Sequence, residues 1–276
     1  MNTLPTNIAP VSAPSEPLGS LRAQALRLLL LDSPQEKAAQ VCALEAAHWK
    51  PDPAENFPEP PALPGRPARP PLVPPAQLKT RAVGTKEGHA GLIHALTHIE
   101  ANAIDLALDM VWRFASMPPT FYLNWWRVAQ EEALHFTLLQ THLNRLGHDY
   151  GDFPAHDGLW DMAKRTQGDV LARLALVPRT LEARGLDATP AVRNRLVSVG
   201  DQAGAKILDI ILRDEIGHVA IGNHWYRYLC IQRQLDPVDT YADLAQRFQA
   251  PILKGPFNLD ARRAAGFTDA ELCALA

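Results

Sequence analysis

The most restrictive feature of the sequence is where its prolines fall. Of 24 in 276 residues, 11 lie between positions 51 and 75 (51, 53, 58, 60, 61, 64, 67, 70, 71, 74 and 75). Proline fixes φ and lacks a backbone N–H, so this segment can be neither a helix nor a central strand. It is predicted to run extended, as a plain linker or as a strap packed on the main domain. It also divides the chain. Residues 1–17 are rich in Pro, Ala and Ser and are expected to be loose. Residues 18–48 hold two helical patterns, broken at "DSPQE", where Ser33 reads as an N-cap, Pro34 as the first helical residue and Glu36 as its third.

From about residue 85 long helical periodicity takes over. "TKEGHAGLIHALTHIEANAIDLALDMVWRFASM" reads as one helix, stopped by Pro118 and Pro119. "PTFYLNWWRVAQEEALHFTLLQTHLNRLG" reads as a second, with Gly147 just past its end. After the loop "HDYGDFPAHDG" comes a third, "LWDMAKRTQGDVLARLALVPRTLEARG". Pro178 should kink it and free the carbonyl of residue 174. "DATPAVRNRLVSVG" is predicted as a short helix started by Thr189 and Pro190. "DQAGAKILDIILRDEIGHVAIGNHWYRYLCIQRQ" is the fourth long pattern. Residues 236–276 suggest short helices around "KGPFNLDARRAAGF". No stretch alternates with period 2 between hairpin turns. The expected fold is all-α: a four-helix bundle over 85–235, N-terminal helices and a Pro-rich strap over 1–84, and a C-terminal extension over 236–276 packed on the bundle.

Composition removes several function classes. The formal net charge is −3, without the basic footprint of a general nucleic-acid binder. Cys42, Cys230 and Cys273 are odd in number and far apart, which suggests neither a disulfide framework nor a thiolate metal site and fits a reducing cytoplasm. The N-terminus lacks the basic and apolar regions of a signal peptide. No apolar run approaches the ~18 residues of a membrane span. No Gly-rich phosphate loop, nucleophile triad or Cys/His zinc pattern is present.

There remains a pattern of carboxylates. After its first turn, the first long helix has one Glu, Glu100. The second has Glu131 and Glu132, the latter three residues before His135. Between 136 and 214 the only Glu is Glu182, in the third. The fourth has Glu215, three before His218. The order is Glu, Glu-x-x-His, Glu, Glu-x-x-His, one element per helix. Residues three apart project from nearly the same side of a helix, so each Glu-x-x-His can offer a carboxylate oxygen and an imidazole nitrogen to one ion. Di-iron carboxylate bundles carry this arrangement. At about 100° per residue, the Glu100 face also carries Ile93, Ala103, Ile104, Ala107 and Val111. The Glu215 face carries Leu208, Ile211, Leu212, Val219 and Tyr226, and Phe121 and Trp125 lie near the Glu132 direction. Four carboxylates on apolar faces would repel one another unless protonated or neutralised, and two divalent cations would neutralise them. Carboxylate and imidazole without thiolate suit Fe or Mn. The separation from Glu100 to Glu132 and that from Glu182 to Glu215 differ by a single position, which suggests two hairpins of matching span. Glu182 is the awkward member, only three residues before Gly185. Either the short helix after Thr189 makes up the length, or the third helix runs on.

These residues resemble the ferritin-like dimetal-carboxylate superfamily. More closely, "HIEANAIDLALD", "EEALHF", "ALVPRTLEARGLD" and "LRDEIGHV" resemble the ferritin-like family known as domain of unknown function 455. That likeness extends over nearly the whole chain, including the Pro-rich strap and "KGPFNLDARRAAGF". It implies a fold and a metal site, not a substrate. A more distant likeness is to non-haem di-iron tRNA hydroxylases; it transfers no substrate, although it keeps tRNA in view. In di-iron oxygenases the residue before the motif Glu is often an Asp that hydrogen-bonds a ligating His. Asp214 stands at that position here, and Glu131 replaces it in the second helix. Both are expected to orient ligands, the alternative being plain surface charge.

The expected centre thus comprises Glu100, Glu132, His135, Glu182, Glu215 and His218, holding two Fe ions, or Mn, or a mixed Mn/Fe pair. The leading function is an O2-dependent oxidase or hydroxylase acting on an unknown small or macromolecular substrate, with an unknown electron donor, as a monomer or dimer. The alternatives are a ferroxidase or metal-handling protein, which predicts a cage, and a non-catalytic metal-binding scaffold. Other residues have plainer readings. His94, His98 and Asp105 line the helix side away from Glu100, as a polar or interface face rather than a second metal site. His142 suggests a satisfied core histidine, and Tyr226, Trp125 and Trp126 suggest core rather than an electron relay. Lys254, Asn258, Arg262 and Arg263 are candidates for an anionic substrate group, or else structural tail contacts.

Overall fold

A computed structural model of the chain describes residues 19–79 and 81–275. The Pro/Ala/Ser-rich start, residues 1–17, lies outside them. The described chain is all-α, without a strand. Two short helices, α1 (Leu21–Leu29) and α2 (Pro34–Ala43), precede the strap. Ser33 caps α2 by accepting the Glu36 N–H, with Pro34 in the first turn, as the local sequence predicts.

Two long helices then form a hairpin, α3 (Lys86–Arg113) and α4 (Pro119–Arg145). Thr85 caps α3 through the Gly88 N–H. Past α4, Gly147 takes a left-handed φ of 83°, and the His148 N–H returns to the Leu143 carbonyl at 3.3 Å, a glycine-based helix stop. Two further helices, α5 (Gly158–Arg165) and α6 (Val170–Leu176), lead to the opposite side of the bundle. There α7 (Ala183–Ser198) packs against α8 (Gln202–Gln232), joined across residues 199–201. Short helices α9 (Pro237–Arg247), α10 (Leu259–Ala264) and α11 (Asp269–Cys273) complete the chain.

The third helical pattern is not one helix. It divides into α5, α6 and a π-helical turn, Val177–Glu182, that leads straight into α7. The first break has a local cause: Asp169 caps α6 by accepting the Leu171 and Ala172 N–H groups. At the second, Pro178 widens the helix into the π turn, and the Thr180 hydroxyl takes up the Ala175 carbonyl at 2.8 Å. The expected new helix at Thr189–Pro190 does not form, because α7 runs through both. Pro190 leaves the carbonyl four residues earlier without its helical donor. That carbonyl belongs to Leu186, and the Asn258 side-chain amide reaches it at 3.2 Å.

The proline-rich segment packs as a strap. The Gly65 N–H bonds the Leu29 carbonyl at 2.9 Å, and a Cβ on Gly65 would lie 2.3 Å from the Leu30 oxygen, so only glycine permits that approach. Strap and loop are joined by two backbone hydrogen bonds, Val73 N to Ala155 O and Ala155 N to Pro71 O. Buried Arg22 ties α1 and the strap to the end of α3: its guanidinium donates to the carbonyls of Val111, Trp112, Asp52 and Glu55. This satisfies carbonyls that a helix end leaves without partners, and places a cation at the negative end of the helix dipole. Lys37, also buried, pairs with Asp105 and donates to the Leu29 and Gly65 carbonyls. The stripe of His94, His98 and Asp105 is therefore an internal interface. His94 accepts the Gly151 N–H, and His98 contacts the Tyr150 hydroxyl and the His156 carbonyl.

α1 and α2 pack on α3 and α4, and their Leu21, Leu28 and Val41 belong to the same buried cluster as Ile104, Val111, Trp125 and Phe136. Trp125 and Trp126 are fully interior. Tyr226 is too, its hydroxyl donating to the Pro237 carbonyl at 2.7 Å and its ring 4.0 Å from the Arg179 guanidinium carbon.

Candidate metal centre

Helix length brings the acidic residues to one level. Glu100 lies as far before the end of α3 at Arg113 as Glu132 lies beyond the start of α4 at Pro119. At a rise of about 1.5 Å per residue both arms measure about 20 Å. Across the bundle, Glu215 lies equally far beyond the start of α8 at Gln202. Glu182 lies slightly further than that, by just under one turn, from the end of α7 at Ser198. The uninterrupted α7 supplies the length that a helix ending at Gly185 would lack.

Glu100, Glu132, His135 and Glu215 converge, with one ligand-type atom from each within 4.8 Å of the others, and all four residues are buried. Glu132 is the hub. His135 Nδ1 lies 3.3 Å from Glu132 Oε2 and 3.4 Å from Glu100 Oε2. His218 Nδ1 lies 3.0 Å from Glu132 Oε1 and 3.6 Å from Glu215 Oε1. Glu182 stands at the end of the π turn, with Glu215 and Glu132 as its strongest charged neighbours. Part of Glu182 is exposed, but its Oε2 is not.

The imidazoles are held from behind by a crossed pair of carboxylates. His135, on α4, places Nε2 3.2 Å from Asp214 Oδ2 on α8. His218, on α8, places Nε2 2.7 Å from Glu131 Oε2 on α4. Each carboxylate is in turn anchored by an arginine of its own helix, Arg213 on Asp214 at 2.8 Å and Arg127 on Glu131 at 2.9 Å. An acceptor on Nε2 keeps the proton there and turns the Nδ1 lone pair inward.

The electrostatics are those of a site short of positive charge. Burial, then Glu215 and Glu132, pushes the Glu182 carboxyl up to about 8. Burial and Glu132 likewise raise Glu100 and Glu215. Burial opposes ionisation of Glu132 as well, but His218 and His135 overcome it and hold Glu132 below the carboxylate range. Burial would lower His135, yet Glu100 and Glu132 carry it up to about 11. Protons can meet this shortage of charge, and so can cations.

Four buried polar atoms here make no well-aligned hydrogen bond: Glu100 Oε2, Glu182 Oε2, Glu215 Oε2 and His218 Nδ1, although Glu100 Oε2 and His218 Nδ1 lie close to other polar atoms of the cluster. Buried polar atoms left unpaired are costly. Each of these is an atom of a kind that ligates metal, and the carboxylate charge here calls for cations. The residues present therefore fit bound metal.

Two features were not apparent from the sequence. One is the crossing, since spacing alone does not show which ring each outer carboxylate would meet. The other lies toward the far end of the bundle, where His142 meets His89 and Asp201. A signal existed for His89, which stands three helical turns before Glu100 and so within about 20° of the same helix face. The proposed substrate contacts do not gather at the centre. Asn258 caps α10, and Arg262 forks onto Asp187 with Nη2 2.7 Å from Oδ2, so both fasten the C-terminal segment to α7. Lys254 is exposed, as is Arg263 beside Asp260 and Asp269.

Fold and site together define an all-α protein built around a buried carboxylate–histidine cluster that could hold metal. The chain belongs to the family described as protein of unknown function DUF455, whose profile matches residues 30–273. It is 50% identical over 213 residues to an uncharacterized protein of Haemophilus influenzae, covering 75% of this chain and 74% of that one. No solved structure matches. Among the described residues, no helix is long and apolar enough to cross a membrane.

Proposed function

We propose that this protein is a ferritin-like dimetal-carboxylate oxidoreductase that uses O2 on a substrate still to be identified. The observation that carries the reading is the set of ligand-type atoms without a well-aligned hydrogen bond on Glu100, Glu182, Glu215 and His218, gathered around Glu132. Glu100, Glu132 and His135 would hold one ion, and Glu182, Glu215 and His218 the other. Two reduced irons would supply electrons for O2 activation; Mn or a mixed pair is the alternative. The chain's own contribution is positioning. Asp214 and Glu131 fix the ring orientations, and the apolar residues around the cluster exclude water, which strengthens each charge interaction inside. The free cysteines Cys42, Cys230 and Cys273 accord with a cytoplasmic protein. With two metals per chain, a monomer or dimer suffices and no cage is needed.

The test is anaerobic loading with Fe(II), metal analysis, then rapid mixing with O2 under optical observation. About two irons per chain and an oxygen-dependent absorbance change are expected, both lost in Glu132→Ala. Many irons per chain in a large assembly would instead support metal storage. Iron bound without any response to O2 would leave a scaffold.

A further inference from the structure

We infer that His89, His142 and Asp201 form a second, mononuclear site for a divalent cation, with Zn2+ the best match. Three helices deliver the residues: His89 from the first turn of α3, His142 from the last turn of α4, and Asp201 as the N-cap of α8. Both imidazole Nε2 atoms converge on one carboxylate oxygen, Asp201 Oδ2, at 2.7 Å from His89 and 2.8 Å from His142. The three side chains are largely enclosed, with exposures of 17% for His89, 7% for His142 and 6% for Asp201.

The site is separate from the metal pair. His142 is two turns beyond His135, about 10 Å along α4 at the usual helical rise. The buried apolar side chains of Ile93, Leu139 and Leu208 occupy the bundle between the two levels. The second site therefore does not depend on the dimetal reading.

Its chemistry points to a cation. Asp201 is a buried carboxylate, and among the described residues its only side-chain partners are the two imidazoles; no lysine or arginine pairs with it. Its other oxygen, Oδ1, accepts the Gly204 N–H at 2.8 Å, which aims Oδ2 at the rings. In the metal-free protein the Asp201 carboxylate holds the His142 ring proton on Nε2, but His142 Nδ1 is buried without a partner, so that proton can move to Nδ1 when a cation takes the Nε2 lone pair. Two imidazole nitrogens and one carboxylate oxygen are an established set for Zn2+, with the fourth tetrahedral position left to water. Zinc–ligand distances of about 2.0–2.2 Å put neighbouring ligand atoms about 3.3 Å apart. The two contacts would have to open by roughly half an ångström, within the reach of side-chain rotation. The partial exposure of His89 gives the ion a way in.

The experiment is zinc uptake by the full-length, chelator-stripped protein, counted by equilibrium dialysis and metal analysis. His142→Gln retains an N–H that can reach Asp201 but lacks an imidazole nitrogen, so it separates ligation from the hydrogen-bonded staple. It should fold as the parent does, by circular dichroism and melting temperature, and bind one zinc fewer. His89→Ala should lose the same equivalent. Glu132→Ala, which disrupts only the dimetal cluster, should still bind one zinc, and adding His142→Gln should abolish that one. Unchanged zinc counts in the histidine variants, or no zinc on Glu132→Ala, would overturn the proposal and leave the triad as a hydrogen-bonded staple.

Discussion

Gly222 allows a sharp test of how Glu182 is placed. It sits on α8 one turn beyond His218, facing the π turn that ends at Glu182. A Cβ built there would lie 2.6 Å from Pro178 Cβ and 2.8 Å from its Cγ. A proline ring cannot swing aside, so the turn itself would have to move. Gly217 on the same helix is exposed, and the same added atom meets nothing within 4 Å. Both alanine substitutions gain the same helix propensity, about 0.8–1.0 kcal/mol. At Gly217 nothing opposes that gain, so Gly217→Ala should stabilise the protein by up to about 1 kcal/mol. At Gly222 overpacking typically costs about 1–3 kcal/mol, which turns the net effect into a loss of about 1 kcal/mol. Urea denaturation at an unchanged m-value reads the difference as opposite shifts of midpoint. Pro178 and Glu182 share one turn, so Gly222→Ala should also weaken divalent-metal binding, whereas Gly217→Ala should not. Equal midpoints, or a more stable Gly222→Ala, would refute close packing behind Glu182.

Four further outcomes are expected. Asp214→Asn and Glu131→Gln should each lower metal affinity about 10- to 100-fold with unchanged helicity; undiminished affinity on titration would remove their orienting role. His94 and His98 are both held down to about 4 by burial, against 6.5 unfolded, so the folded state binds fewer protons in that window. Stability should therefore fall as pH drops from about 6.5 to 4, and thermal melts of His98→Gln should show a flatter profile. Lys37→Met strands Asp105 in the interior and should cost about 3–5 kcal/mol, much of it recovered by adding Asp105→Leu; additive losses in chemical denaturation would contradict the pairing. Asn258→Ala removes the donor from the Leu186 carbonyl opposite Pro190 and should cost about 1 kcal/mol by the same assay.

Local rules read well where the cause is local. Ser33 with Pro34 starts α2, and Gly147 ends α4, because each needs only its neighbours. The helices bearing Glu100, Glu132 and Glu215 were legible for a related reason: a carboxylate on an apolar helix face demands a partner, and other Glu residues are scarce in these helices. α3 was harder, because α1, α2 and the strap cover its outer side. His98 and Asp105 are as buried as Glu100, and periodicity cannot tell two packed faces apart. The break before α6 was locally encoded, in the Gly168–Asp169 cap, but apolar spacing on either side hid it. α7 could not be read locally at all. Thr189–Pro190 looks like a helix start, but it lies inside α7, where Asn258, far along the chain, supplies a donor for the carbonyl that Pro190 leaves open.

The crossing of the outer carboxylates belongs to this non-local class, and it bears on why the cluster needs two acidic residues at each motif. On one helix, Glu131 and Glu132 point about 100° apart, so they meet opposite edges of His218, Glu131 at Nε2 and Glu132 at Nδ1. Glu132 faces the centre, while Glu131 reaches across the helix interface to His218, as Asp214 reaches back to His135. Each ring is thereby gripped by the helix opposite its own. A shift of α4 against α8 that slackened one of these bonds would disturb the other as well. The pair fixes helix register and the direction of both imidazole lone pairs at once. Glu131→Gln and Asp214→Asn should therefore couple, and the double variant should lose less metal affinity than the two single losses multiplied together. Strict additivity would mean that each ring is oriented independently.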